Sequence, residues 1–217
     1  MLQLLCLTSL FAPHQRAFLR TRAARLCIQA DTPLSRCSER LLFSADAIVA
    51  AAAVLGENQR QEEEPGRLSS GGCALANVAR DCALVGAALD EKDWEAATEP
   101  LAAVAVSLST AAASLEGLVE GTALSEAAYE IEDASCVTGC ISLAAAAGPN
   151  LEAAGELVGR AGGALRAHGE GMLNAGTTAA HVEAGNRLCE AGGATAEAGE
   201  HMAEAGRRLE AGLDQAG

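Results

Sequence analysis

Apolar residues recur three and four positions apart along most of this chain, the spacing of one helix face. Over 38–56 the face is Leu41, Ala45, Ile48, Ala52 and Leu55, with Ser38 read as the N-cap and Gly56 as the stop. Over 74–89 it is Leu75, Val78, Cys82, Val85 and Leu89. Asp90 or Asp93 then caps a helix from about Trp94 to Val119, carrying Leu101, Val104, Leu108, Ala111, Leu115 and Leu118. Pro100 lies inside that pattern and moves its expected start toward Glu99. Residues 123–147 continue with Leu124, Ala127, Ile131, Ala134 and Ile141. Between the first two helices, ENQRQEEEPGRLSSGG reads as a flexible loop over 57–73, and Gly148-Pro149-Asn150 reads as a helix boundary with Asn150 capping the next helix.

Beyond that boundary the pattern changes to small residues at a period of seven. Gly148, Gly155, Gly162, Gly169 and Gly176 form one register, and Gly185, Gly192, Gly199 and Gly206 form a second. Alanine precedes most of them, at 147, 154, 161, 175, 184, 191, 198 and 205. Seven residues are close to two helical turns, so these positions fall on one narrow stripe. Larger side chains keep their own register, Leu151, Val158, Leu165 and Met172, then Leu188, Thr195, Met202 and Leu209. The step from Gly176 to Gly185 is nine, which marks either a turn through Thr177-Thr178 or a discontinuity in one long helix.

Each helical glycine costs roughly 0.8–1 kcal/mol relative to alanine, so its regular use calls for a compensating close approach of helices. The expected interaction stripe is Gly155, Gly162, Gly169, Gly176, Gly185, Gly192, Gly199 and Gly206 with Ala154, Ala161, Ala191 and Ala198. It serves a hairpin of the last two helices or pairing with another copy of the chain.

Composition narrows the class further. Half of the 217 residues are apolar but only 2% are aromatic, so the core is built from Ala, Leu and Val. With short connections between helices, the expected fold is all-α: an antiparallel helical bundle or hairpin array ending in an Ala/Gly-heptad pair of helices. Its divisions are a segment 1–30, a bundle over 38–147 and a hairpin over 151–217.

The net charge of −14 argues against nucleic acid as a partner. Residues 1–30 depart from that acidity, with Arg16, Arg20, Arg22 and Arg25 and no acid. They read as a targeting or disordered segment: mitochondrial or other organellar import is the expectation, a cytoplasmic protein the alternative. The longest uncharged helical stretch, 100–115, is short of the ~20 residues that cross a bilayer, which argues against a membrane span.

Candidate chemistry is sparse. Cys136 and Cys140 share a helix face, but no CxxC pair completes a zinc set. Cys27 and Cys37 have the spacing of half a twin CX9C hairpin, and the other half is missing, since Cys73 and Cys82 have eight residues between them. His168-Gly-Glu170 and His181-Val-Glu183 match the His-x-Glu part of a zinc deaminase signature without its PCxxC part. No GK phosphate loop, HExxH or GxSxG occurs. The sequence therefore points to no catalytic residue, cofactor or metal, and to a non-enzymatic structural or adaptor protein acting through helix packing, with a protein partner or itself. The alternative is a conditionally disordered chain that becomes helical on a partner, surface or dehydration. Fourteen glycines in 151–217 imply on the order of 10 kcal/mol of helix penalty to be offset.

Overall fold

The computed structural model describes residues 32–58, 63–116, 122–138, 147–176 and 178–214. Among them six helices follow one another without a strand: α1 Pro33–Asn58, α2 Glu63–Asp90, α3 Trp94–Leu115, α4 Thr122–Thr138, α5 Ala147–Ala175 and α6 Ala179–Asp214. Segment 1–30, with its targeting reading, and positions Leu118, Cys140 and Ile141 lie outside the described residues.

Local chemistry sets the helix ends, in places differently from the pattern. The Thr32 hydroxyl accepts from the Ser35 N–H at 3.1 Å, and Pro33 follows it at the first helical position. That pairing starts α1 nearly two turns before Ser38, which is instead buried in the second turn. Gly56 does not stop the helix, which runs on to Asn58.

The loop expected over 57–73 is corrected most. From Glu63 onward it is the first third of α2. Pro65 falls within the first turn, where no intrahelical N–H bond is lost. The Gly-Gly pair is helical because both neighbours press on it. A Cβ at Gly71 would stand 2.6 Å from the Leu115 side chain of α3, and one at Gly72 would stand 2.8 Å from Val49 Cγ2 of α1.

Between α2 and α3 the chain turns through Lys92, whose φ of 58° is left-handed. The Asp93 N–H donates back to the Ala88 carbonyl at 2.9 Å, and the Asp93 carboxylate accepts from Ala96 N–H at 3.0 Å. Asp93 thus caps α3 at Trp94, and Pro100 sits inside the helix instead of near its start. At the expected Gly148-Pro149-Asn150 boundary, α5 already begins at Ala147, so all three lie in its first turn and Asn150 is not the cap. Thr178 supplies the turn between the last two helices, its carbonyl accepting from Val182 N–H at 3.2 Å and its hydroxyl from His181 N–H at 3.3 Å.

Consecutive helices pack as neighbours, and α6 returns along α1 to close the bundle. Cross-contacts run in antiparallel register. Gly72 lies against Ala45 and Ile48 while Gly86 lies against Leu34; Ser44 meets Thr195, and Arg40 reaches Glu197 beyond it. An even number of helices lets the last run opposite to the first. One continuous core threads all six, from Leu41, Ile48 and Leu55 through Leu75, Leu108 and Ile131 to Leu151, Leu165, Leu188 and Met202. The C-terminal hairpin therefore shares its core with the preceding helices.

Candidate functional site

The two glycine registers face each other along the α5–α6 seam. A Cβ on Gly155 would stand 2.5 Å from the Gly199 carbonyl oxygen, and one on Gly162 would stand 2.6 Å from that of Gly192. Gly169 meets the Gly185 oxygen at 2.7 Å, and Gly148 meets that of Gly206 at 2.9 Å. Each step of seven along α5 is matched by a step of seven back along α6, so backbone touches backbone at four levels. Contacts this close belong at or below the short end of the usual 8–10 Å interaxial range. Gly176 stands apart, exposed in the turn. Ala154, Ala161, Ala191 and Ala198 turn one position away from the seam and are wholly buried in the common core.

The stripe is therefore occupied within the chain. On α3, residues Leu101, Val104, Ala105, Leu108, Ala111, Ala112 and Leu115 are buried. Its outward residues between Pro100 and Leu115 are Ala102, Val106, Ser109, Thr110 and Ala113, none of them charged. Val106 is 67% exposed, and Tyr129 on adjoining α4 is 69% exposed. Hydroxyls on this side are partly spent on their own helix: Thr110 donates to the Val106 carbonyl at 2.9 Å and Thr98 to that of Trp94 at 3.2 Å. On the other flank, α2 presents Ser70, Cys73, Asn77, Leu84 and Ala87 with Arg80 among them, and the half-buried Arg67 donates to the Ser114 carbonyl of α3 at 3.3 Å. The Arg80 guanidinium is turned onto buried Asp81 at 2.8 Å, which raises its pKa chiefly through the hydrogen bond.

The rest of the surface has another character. Its ion pairs include Arg40–Glu197, Arg160–Glu126, Arg166–Glu170, Arg187–Glu183 and Arg207–Glu152, on α1, α4, α5 and α6, and α4 also exposes Glu132 and Asp133 beside Tyr129. Such pairs contribute little stability each, but they keep a face solvated. Helices α2, from Glu64, and α3 are also 27 and 22 residues long, and each holds an 18-residue stretch with a mean hydropathy of 1.3 and 1.2 respectively, which meets the length and composition of a bilayer-crossing helix. Core helices of a bundle meet the same test.

The remaining sequence candidates stay separate. Among the described residues no three metal-binding side chains come together. His168 takes the place of an alanine in the repeat, and its Nε2 is shielded from solvent 3.9 Å from Glu64 Oε1. His181 shares a 2.7 Å hydrogen bond with the Thr178 hydroxyl, and His201 lies 3.9 Å from Glu204. Cys136 is exposed on α4. An open groove of about 450 Å³ between the end of α1 and the start of α6 is lined by Val54, Leu55, Thr178, Ala179, Ala180, His181 and Glu183.

Comparison with known proteins finds no matching family model, no matching curated protein and no matching solved structure. The outer α3 face is present in the sequence as the uncharged run 100–115. There it bears only on a membrane span, because period alone does not say which small residues face outward.

Proposed function

We propose that this protein is a non-enzymatic helical adaptor that binds a partner protein through the uncharged outer face of α3 and its flanks on α2 and α4. One observation carries the reading: in a chain of net charge −14, the outward side of α3 from Pro100 to Leu115 holds no charge and exposes Val106. Exposed apolar surface rimmed by charge is the usual character of a protein-binding patch. Ala, Ser and Thr on that face permit a partner helix to approach closely. The acid-free, arginine-bearing segment 1–30 supports delivery of this adaptor to an organelle.

A photo-crosslinking residue at position 106, compared with one at Glu200 on the charged side, tests the reading in cells. The expected result is a discrete adduct from position 106 that disappears when Ala113→Glu is added, while the melting temperature stays the same. Equal, diffuse labelling from both positions would overturn it. An adduct of twice the chain mass would assign the face to self-association.

A further inference from the structure

Cys37 on α1 and Cys82 on α2 are closed off from solvent, at 0% and 2% exposure. They meet across a single seam. Gly86 of α2 lies against Leu34 of α1 and Thr32 just before it, and Gly72 lies against Ala45 and Ile48. That antiparallel register places Cys82, one turn before Gly86, level with Cys37, one turn after Leu34. Beside that register, the neighbouring Cys37 thiol is the first cause of the raised pKa of the Cys82 thiol, with burial next. Other described cysteines have no such partner: Cys73 and Cys136 are exposed, and Cys189 donates to the Arg166 carbonyl at 3.7 Å.

We propose that Cys37 and Cys82 form an oxidisable dithiol, at which a low-molecular-weight disulfide such as glutathione disulfide converts the α1–α2 contact into a covalent cross-link. In the first step one protein thiolate attacks the small disulfide, forming a mixed disulfide and releasing one small thiolate, which takes up the proton lost by the attacking thiol. The second protein thiol then gives up its proton and attacks the protein sulfur of that mixed disulfide. The Cys37–Cys82 bond forms, and the second small thiol leaves. Two protein thiols are oxidised and one small disulfide is reduced to two thiols.

Burial sets the order of events. Neither sulfur is reachable while the seam is closed, so the first attack follows a local parting of α1 from α2. Closure then ties α1 to the helix that carries one flank of the uncharged face.

The experiment uses the full chain incubated with glutathione disulfide, both in native buffer and in urea below the unfolding transition. Remaining thiols are then alkylated in denaturant and the chain is digested with trypsin. Cleavage after Arg36, Arg40, Arg80 and Lys92 leaves the two cysteines on separate peptides, 37–40 and 81–92. The expected product is those two peptides joined, with a mass two hydrogens below their sum. It is absent from Cys37→Ala. Oxidation is expected to raise the melting temperature of the full chain by on the order of 10 °C, reversibly with dithiothreitol. Recovery of both peptides alkylated and unjoined in native buffer and in urea, while Cys73 and Cys136 take up glutathione, would overturn the proposal.

Discussion

The Ser44 hydroxyl and the Thr195 hydroxyl meet at 2.7 Å in the buried seam between the first and last helices. Thr195 also donates to the Ala191 carbonyl at 2.9 Å, so its oxygen is left to accept from Ser44. Thr195 occupies a position of the heptad register that otherwise takes Leu or Met, and its hydroxyl finds its partner on α1. Two polar groups in an alanine-rich core favour one position of α6 along α1, because a slip in either direction parts the pair and strands the Ser44 hydroxyl.

The pair is expected to respond asymmetrically to mutation. Thr195→Val keeps the shape but removes the acceptor for Ser44, and should cost about 1–3 kcal/mol. Ser44→Ala leaves Thr195 bonded to Ala191 and should cost about 1 kcal/mol or less. The double variant should cost less than the two single costs added together. Urea denaturation of the four proteins checks this cycle.

Glycines of the repeat should divide by position. Gly162→Ala drives a methyl onto the Gly192 carbonyl and Ala196 N, against backbone that cannot rotate away, and should destabilise by about 1–3 kcal/mol. Gly163 is its immediate neighbour, and a Cβ there meets nothing within 4 Å. Gly163→Ala should stabilise by about 0.5–1 kcal/mol through helix propensity and a less flexible unfolded chain. Opposite signs at adjacent residues, read from chemical denaturation, are the expected outcome.

Pro100 is the seventh residue of α3 and lies within the helix. It removes the N–H that would bond to the Ala96 carbonyl and crowds that carbonyl with its ring. Pro100→Ala should therefore stabilise the fold, by about 1–3 kcal/mol. A rise in melting temperature checks it.

Stability should fall in mild alkali. The neighbouring Cys37 thiol is the main reason the Cys82 thiol is raised well above its ordinary pKa, with burial next and then charge, including that of Asp81. The folded protein then keeps a proton that the unfolded chain releases above about pH 8.5. The contribution is complete below that pH and is lost as pH rises toward the folded value, at up to about 1.4 kcal/mol per pH unit. Denaturation between pH 7.5 and 10 should show a shallower decline in Cys82→Ala than in the native chain.

Six helices were legible because each buries a face of Leu, Ile, Val and Ala at regular spacing, as Leu41, Ile48 and Leu55 show for α1. Glycine was the harder residue to read. Gly71 and Gly72 carry the signature of a loop, yet they are sites where Leu115 and Val49 press against α2. The same property, absence of a side chain, serves a turn or a close contact, and only the neighbouring helix decides between them. Pro149 was misplaced for a related reason, since a proline that forbids a helix interior is harmless in a first turn. The Ser44–Thr195 and Cys37–Cys82 relationships were illegible because each depends on the register between two helices, which no local pattern encodes.

The meeting of the two glycine registers within one chain is tested most directly by far-UV circular dichroism of the full protein over a hundredfold range of concentration. Helicity that is high and unchanged throughout, with one cooperative melt, is the expected result. Helicity that grows as concentration rises would contradict it, because the stripes of α5 and α6 would then be pairing between copies instead of with each other.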